Sequence, residues 1–118
     1  MFESFSNWWN RKKYGVVDVT LRGFTRRFGR RSWSMAWDDT TQIDAGRKPT
    51  LGVEYFYAEL FSANGVSILV DDLTIGFEQF QNAVFERWPE IKEAWVRVYT
   101  GSPDVAEHVT LWKRHETY

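Results

Sequence analysis

The spacing of apolar residues changes from helical to strand-like and back along this chain. Phe2, Phe5 and Trp9 fall at i, i+3 and i+7 with Trp8 beside them, which predicts a short helix over 2–13 with one aromatic face. Glu3 near its start and Arg11-Lys12-Lys13 near its end suit the helix dipole, and Gly15 suits its stop. The period then becomes two. Val17, Val19 and Leu21 alternate with Asp18, Thr20 and Arg22, and Phe24, Arg26 and Phe28 alternate with Thr25 and Arg27. Gly23 within this run reads as a bulge. After Gly29-Arg30-Arg31, the residues Trp33, Met35 and Trp37 alternate with Ser32, Ser34 and Ala36. The pattern is a β-hairpin with a basic tip.

A shorter alternation covers 41–45, followed by a loop from Gly46 to Gly52 that contains Pro49. Two further strands, Glu54–Phe61 and Val66–Val70, flank Ala63-Asn64-Gly65, and Asn-Gly is a strong signal for a type I′ hairpin turn. From Gly76 the period is helical again, with Phe77, Phe80, Val84 and Trp88 on one side and Asp72 or Thr74 placed to cap. Pro89 ends that helix. Ile91, Trp95 and Val98 continue at helical spacing, Gly101-Ser102-Pro103 makes a loop, and Val109 and Leu111 alternate with Thr110 and Trp112 in a last strand. The expected fold is α+β: an antiparallel sheet packed against a helix from the second half, with a short N-terminal helix in addition. No repeat, low-complexity tract or long linker divides the 118 residues, so one domain is expected over 1–118.

Composition changes this picture in three ways. Seven Trp, nine Phe and five Tyr exceed what a core of this size needs, so some rings are expected at a binding surface. The absence of cysteine excludes disulfides and thiolate metal sites. The start, Met1-Phe2-Glu3-Ser4-Phe5, has neither the basic residues nor the apolar run of a signal peptide, and no stretch of the sequence has the length of a membrane span. A cytoplasmic protein without a transmembrane segment is expected.

Charge is divided along the chain. Residues 1–50 carry a balance of +5 and residues 51–118 one of −6. The basic part concentrates in Arg22, Arg26, Arg27, Arg30 and Arg31, where converging guanidinium groups suit a phosphate or an anionic lipid headgroup. The overall acidic balance argues against nucleic acid. The acidic part offers Glu54, Asp71, Asp72, Glu86, Glu90 and Glu93 as contacts for a basic protein partner. Asp38-Asp39 and Asp71-Asp72 raise metal binding, but neighbouring strand residues point to opposite faces and no EF-hand spacing surrounds them. His108 and His115 are the only histidines and no nucleophile motif accompanies them. No catalytic residue, cofactor or metal is expected.

The run W-D-D-T-T-Q-I-D-A-G-R-K (Trp37–Lys48), the strands E-Y-F-Y-A-E-L-F and V-S-I-L-V-D-D, G-F-x-x-F (Gly76–Phe80), Trp88-Pro89 and T-L-W-K-R (Thr110–Arg114) resemble a group of small bacterial proteins. Their strand-rich body is similar to pleckstrin-homology-like domains, and the resemblance covers about residues 16–114. It implies a strongly bent or half-barrel sheet. A terminal strand after the helix and an extra N-terminal helix depart from the pleckstrin-homology pattern. Small domains of this kind resemble immunity proteins, which bind and block a cognate toxin. The resemblance thus implies a non-catalytic domain whose partner is a toxin domain. For the basic hairpin it implies the alternative of anionic-headgroup binding, because headgroup-binding members carry basic residues at the similar place.

Overall fold

The computed structural model describes residues 14–50, 53–101 and 107–115. The helix expected over 2–13 lies outside them. The fold is α+β, and the described residues form seven strands, two helices and two antiparallel sheets that do not join into one. A three-stranded sheet is formed by β1 (Val16–Val19), β2 (Gly23–Phe28) and β3 (Arg31–Ala36). A 3-10 turn over Trp37–Asp39 leads into β4 (Thr40–Thr50), which pairs with β5 (Val53–Ser62). With β6 (Ser67–Asp71) and β7 (His108–Lys113) these make the second sheet, in the order β6-β5-β4-β7. The helices are α1 (Phe77–Arg87) and α2 (Lys92–Tyr99), with a 3-10 turn over Pro89–Ile91 between them where the proline stops α1.

The alternating run from Val17 to Phe28 is two strands, not one with a bulge. Thr20 turns the chain: its N–H donates to the Gly23 carbonyl at 2.8 Å, and its hydroxyl oxygen accepts from the Gly23 N–H at 3.2 Å. Gly23 lies against the Met35 and Ala36 backbone so closely that any Cβ would collide there. The turn ejects Leu21, which is 94% exposed, whereas Val17 is buried. The stretch expected as a loop from Gly46 is strand as far as Thr50. The strand that begins at Thr40 runs on through Gly46 and Pro49 to Thr50. Arg47 N–H donates to the Glu107 carbonyl, so odd-numbered residues of this stretch turn away from β5. The missing N–H of Pro49 therefore lies on the side away from β5, where it takes no bond from the β4–β5 ladder.

The turn after β5 also differs from a two-residue type I′ turn. Ser62 N–H bonds the Val66 carbonyl at 2.9 Å around Ala63, Asn64 and Gly65, and only the glycine needs a positive φ, +85°. Neither Asp72 nor Thr74 caps α1. Its first position follows Gly76 at φ +92°, and the Asp71 carboxylate instead accepts from Leu73 N–H and the Thr74 hydroxyl, both at 3.0 Å.

The inner faces of both sheets and the helices enclose an aromatic core. Phe24 contacts Trp37 and Phe80 at centroid distances of 5.2 and 5.0 Å, and Phe56 contacts Trp95 at 5.1 Å. The buried indoles keep partners: Trp37 Nε1–H donates to the Thr20 carbonyl and Trp95 Nε1–H to Gln81 Oε1. β1 is held to the segment before α1 by Val17 N–H on the Ile75 carbonyl at 2.8 Å. No described helix is long and apolar enough to cross a membrane.

Candidate functional site

The six acidic residues do not form one surface. Asp71 and Asp72 precede α1, and Glu86 lies in its last turn, so the helix separates them by roughly 15 Å at about 1.5 Å per residue. Glu54 belongs to the first end. Its carboxylate accepts from Arg47 Nε at 2.8 Å, which holds it below the usual carboxylate range. Arg47 also donates to the Tyr99 carbonyl at 2.7 Å and feels the charge of Asp72. Burial raises Asp72, the neighbouring Asp71 adds to the effect, and its Oδ1 has no hydrogen-bond partner among the described residues. Glu86, Glu90 and Glu93 are exposed around the bend between the helices. They are interspersed with Arg87, which pairs with Asp38, and Lys92, whose Nζ lies 5.7 Å from the centroid of the Phe85 ring.

The five arginines separate as well. Arg22 is in the β1–β2 turn and Arg30 in the opposite turn, roughly 20 Å away at about 3.3 Å per residue. Arg26 is buried and donates to the Tyr14 carbonyl at 2.6 Å and the Arg27 carbonyl at 3.0 Å. Burial lowers its pKa, with Asp71 opposing. Arg27 pairs with Asp18. Arg30 and Arg31 remain exposed at the tip, with no carboxylate partner among the described residues. The set is a framework residue, an ion pair, two exposed cations at the tip and a third, Arg22, at the opposite turn, and it does not converge on one phosphate.

A polar chain gathers where β4, β5 and β7 meet. Tyr57 Oη lies 2.6 Å from His108 Nδ1, His108 Nε2 lies 2.9 Å from Asp44 Oδ2, and Gln42 Nε2 donates to Asp44 Oδ1 at 2.8 Å. Burial raises the Tyr57 pKa, with Glu59 and Asp44 adding to it. A carboxylate only accepts, so in the neutral imidazole the proton sits on Nε2 facing Asp44 and Nδ1 accepts from the Tyr57 hydroxyl. These contacts tie β5 and β7 to β4 through side chains, so the arrangement works as a clip that fastens β7 to the sheet. Among the described residues no group of three His, Asp or Glu is placed to hold a metal ion.

The remaining feature joins the two sheets. β2 and β3 pair Arg26 with Trp33 and Phe28 with Arg31, so these four side chains share the inner face of the hairpin. Beyond the core that face overhangs β6 and leaves a cleft of 420 Å³ lined by Arg26, Phe28, Trp33, Ser67, Ile68 and Leu69. Phe28 and Trp33 are 44% and 41% exposed. The hairpin alternation places both rings on one side, but nothing local to 24–37 signals that β6, over thirty residues later, supplies the other wall. No protein-family model, curated protein or solved structure matches this chain.

Proposed function

We propose that this chain is a non-catalytic protein-binding domain with a bent, pleckstrin-homology-like body, and that it acts in the cytoplasm as an immunity protein, neutralising a cognate bacterial toxin by direct binding. The observation that carries this reading is the pair of half-exposed aromatics, Phe28 and Trp33, at the mouth of the cleft beside β6. Aromatic side chains supply large contact area at low entropic cost and concentrate at interface hot spots. A stable domain has no packing reason to leave two rings in water on the same face of a hairpin. The exposed Glu86, Glu90 and Glu93 around the helix bend would steer a basic partner toward the domain and add specificity more than affinity.

Co-expression with a toxin domain encoded next to this chain tests the reading. The expected result is co-purification and rescue of growth by the wild-type chain, with both lost on Phe28→Ala plus Trp33→Ala. Absence of binding to the neighbouring product, or unchanged binding by the double variant, would overturn it.

A further inference from the structure

The cleft has a polar floor as well as aromatic walls. β6 runs antiparallel to β5 with Ser67 opposite Phe61 and Asp71 opposite Tyr57. Two backbone bonds fix which of its residues face β5: Asp72 N–H reaches the Phe56 carbonyl at 3.0 Å, and the Val66 carbonyl accepts from Ser62 N–H. In an antiparallel ladder the facing residues alternate. Positions 66, 68, 70 and 72 therefore turn their backbone groups to β5, while Ser67 and Leu69 turn theirs to the free edge. Both of these residues line the cleft. Among the described residues, β3 likewise has no neighbour on its outer side. Trp37 N–H on the Arg22 carbonyl sets the alternation in β3, so that Ser32, Ser34 and Ala36 direct N–H and C=O away from β2. No ladder joins β3 to β6.

An edge unpaired among the described residues, with aromatic side chains above it and two exposed arginines at the tip of the hairpin that carries them, is a site for an added strand. The ladder would supply affinity, the cleft would take an alternate apolar side chain, and Arg30 and Arg31 would meet a carboxylate. We propose that the cleft binds an extended acidic segment of a protein partner, which pairs with β6 through Ser67 and Leu69, seats an apolar side chain against Phe28, Trp33 and Ile68, and places its acidic end at Arg30 and Arg31. This rests on the partner-binding reading above and specifies its chemistry. The charge selects the occupant: the two tip arginines have no carboxylate among the described residues, and the nearby Asp18 of β1 is engaged by Arg27.

The full chain is titrated into a fluorescein-labelled octapeptide of alternating Val and Phe that ends in Glu-Glu, and into a twin that ends in Lys-Lys, and anisotropy is read. The acidic peptide is expected to bind at least tenfold tighter than the basic one. Arg30→Glu with Arg31→Glu, at an exposed turn, should reverse that order. Ser67→Pro removes an N–H that faces the edge at the first position of β6, where proline is tolerated, and should weaken the acidic peptide about tenfold at an unchanged melting temperature. Equal affinity for the two peptides would overturn the proposal, as would full affinity after Ser67→Pro. So would retention on phosphatidylserine vesicles with no peptide binding, which would make the tip a headgroup surface. The neighbouring toxin domain separates the two levels. If Trp33→Ala releases it while the proline and charge-reversal variants retain it, strand addition fails and the binding surface stands. If Trp33→Ala also retains it, the surface itself is wrong.

Discussion

The Tyr57 hydroxyl reaches the His108 imidazole because the residue opposite Tyr57 on β4, Gly46, has no side chain. A Cβ at position 46 would stand 2.6 Å from Tyr57 Cζ and 2.7 Å from the Glu107 carbonyl oxygen. The phenol ring thus lies flat across the strand, with its hydroxyl delivered to β7. Gly46→Ala should displace the ring and cost about 1–3 kcal/mol of stability, the usual penalty of overpacking. Urea denaturation measures it. The same substitution should speed hydrogen exchange at β7 more than at β6, and equal protection of the two strands would refute the clip.

Asp72 gives a pH signature. Burial raises its folded pKa, with Asp71 adding to the effect, so between the unfolded value of ~3.9 and the raised folded value the native state holds more protons than the unfolded chain. Stability attributable to this group therefore falls as pH rises through that window and stays lower above it. Asp72→Asn removes the dependence. The variant should be more stable than wild type at pH 7, with the gain shrinking below about pH 4. A gain of the same size at both values would show that charge is not the cause.

Arg26 binds two backbone carbonyls from inside the domain. Arg26→Met leaves the Tyr14 carbonyl without its donor and should cost about 1–3 kcal/mol. Arg26→Lys should recover only part of this, because an ammonium cannot reproduce the fixed fork of the guanidinium. Thermal melts of the three proteins order them as wild type, Lys, Met; a lysine variant equal to wild type would mean that charge alone matters there.

Leu21 tests the corrected turn. At 94% exposure its replacement by Asp should change stability by no more than about 0.5 kcal/mol. A continuous strand from Val17 onward would have buried it beside Val17 and Val19, and Leu21→Asp would then have lost several times as much.

The strands were legible from alternation because most of them bury one face, and α1 was legible because four aromatic or aliphatic side chains share one side of it. The errors came from residues with two physical uses. Gly23 reads as a bulge, yet it serves the Thr20 turn and the close approach of β3. Gly46 and Pro49 read as loop punctuation, yet one makes room for Tyr57 and the other has its missing N–H on the side away from β5. Arginine spacing suggests convergence, but alternation along β2 turns Arg26 inward and Arg27 outward, and Arg22 stands at the far end from Arg30 and Arg31. The cleft could not be read from the sequence at all, since its walls come from segments paired within different sheets.

The attachment of β7 bears on how this fold is reached. Among the described strands β7 pairs with β4 alone, and Asp44 and His108 lie 64 positions apart. Closing a loop of that length costs about 4 kcal/mol of chain entropy before any contact returns it. The hairpins β1–β2, β2–β3, β4–β5 and β5–β6 close far shorter loops and need no such wait. Until residues 108–113 dock, β4 is an outer strand with its carboxylate in water, and the finished sheet's interior is for that interval its most exposed and adhesive border.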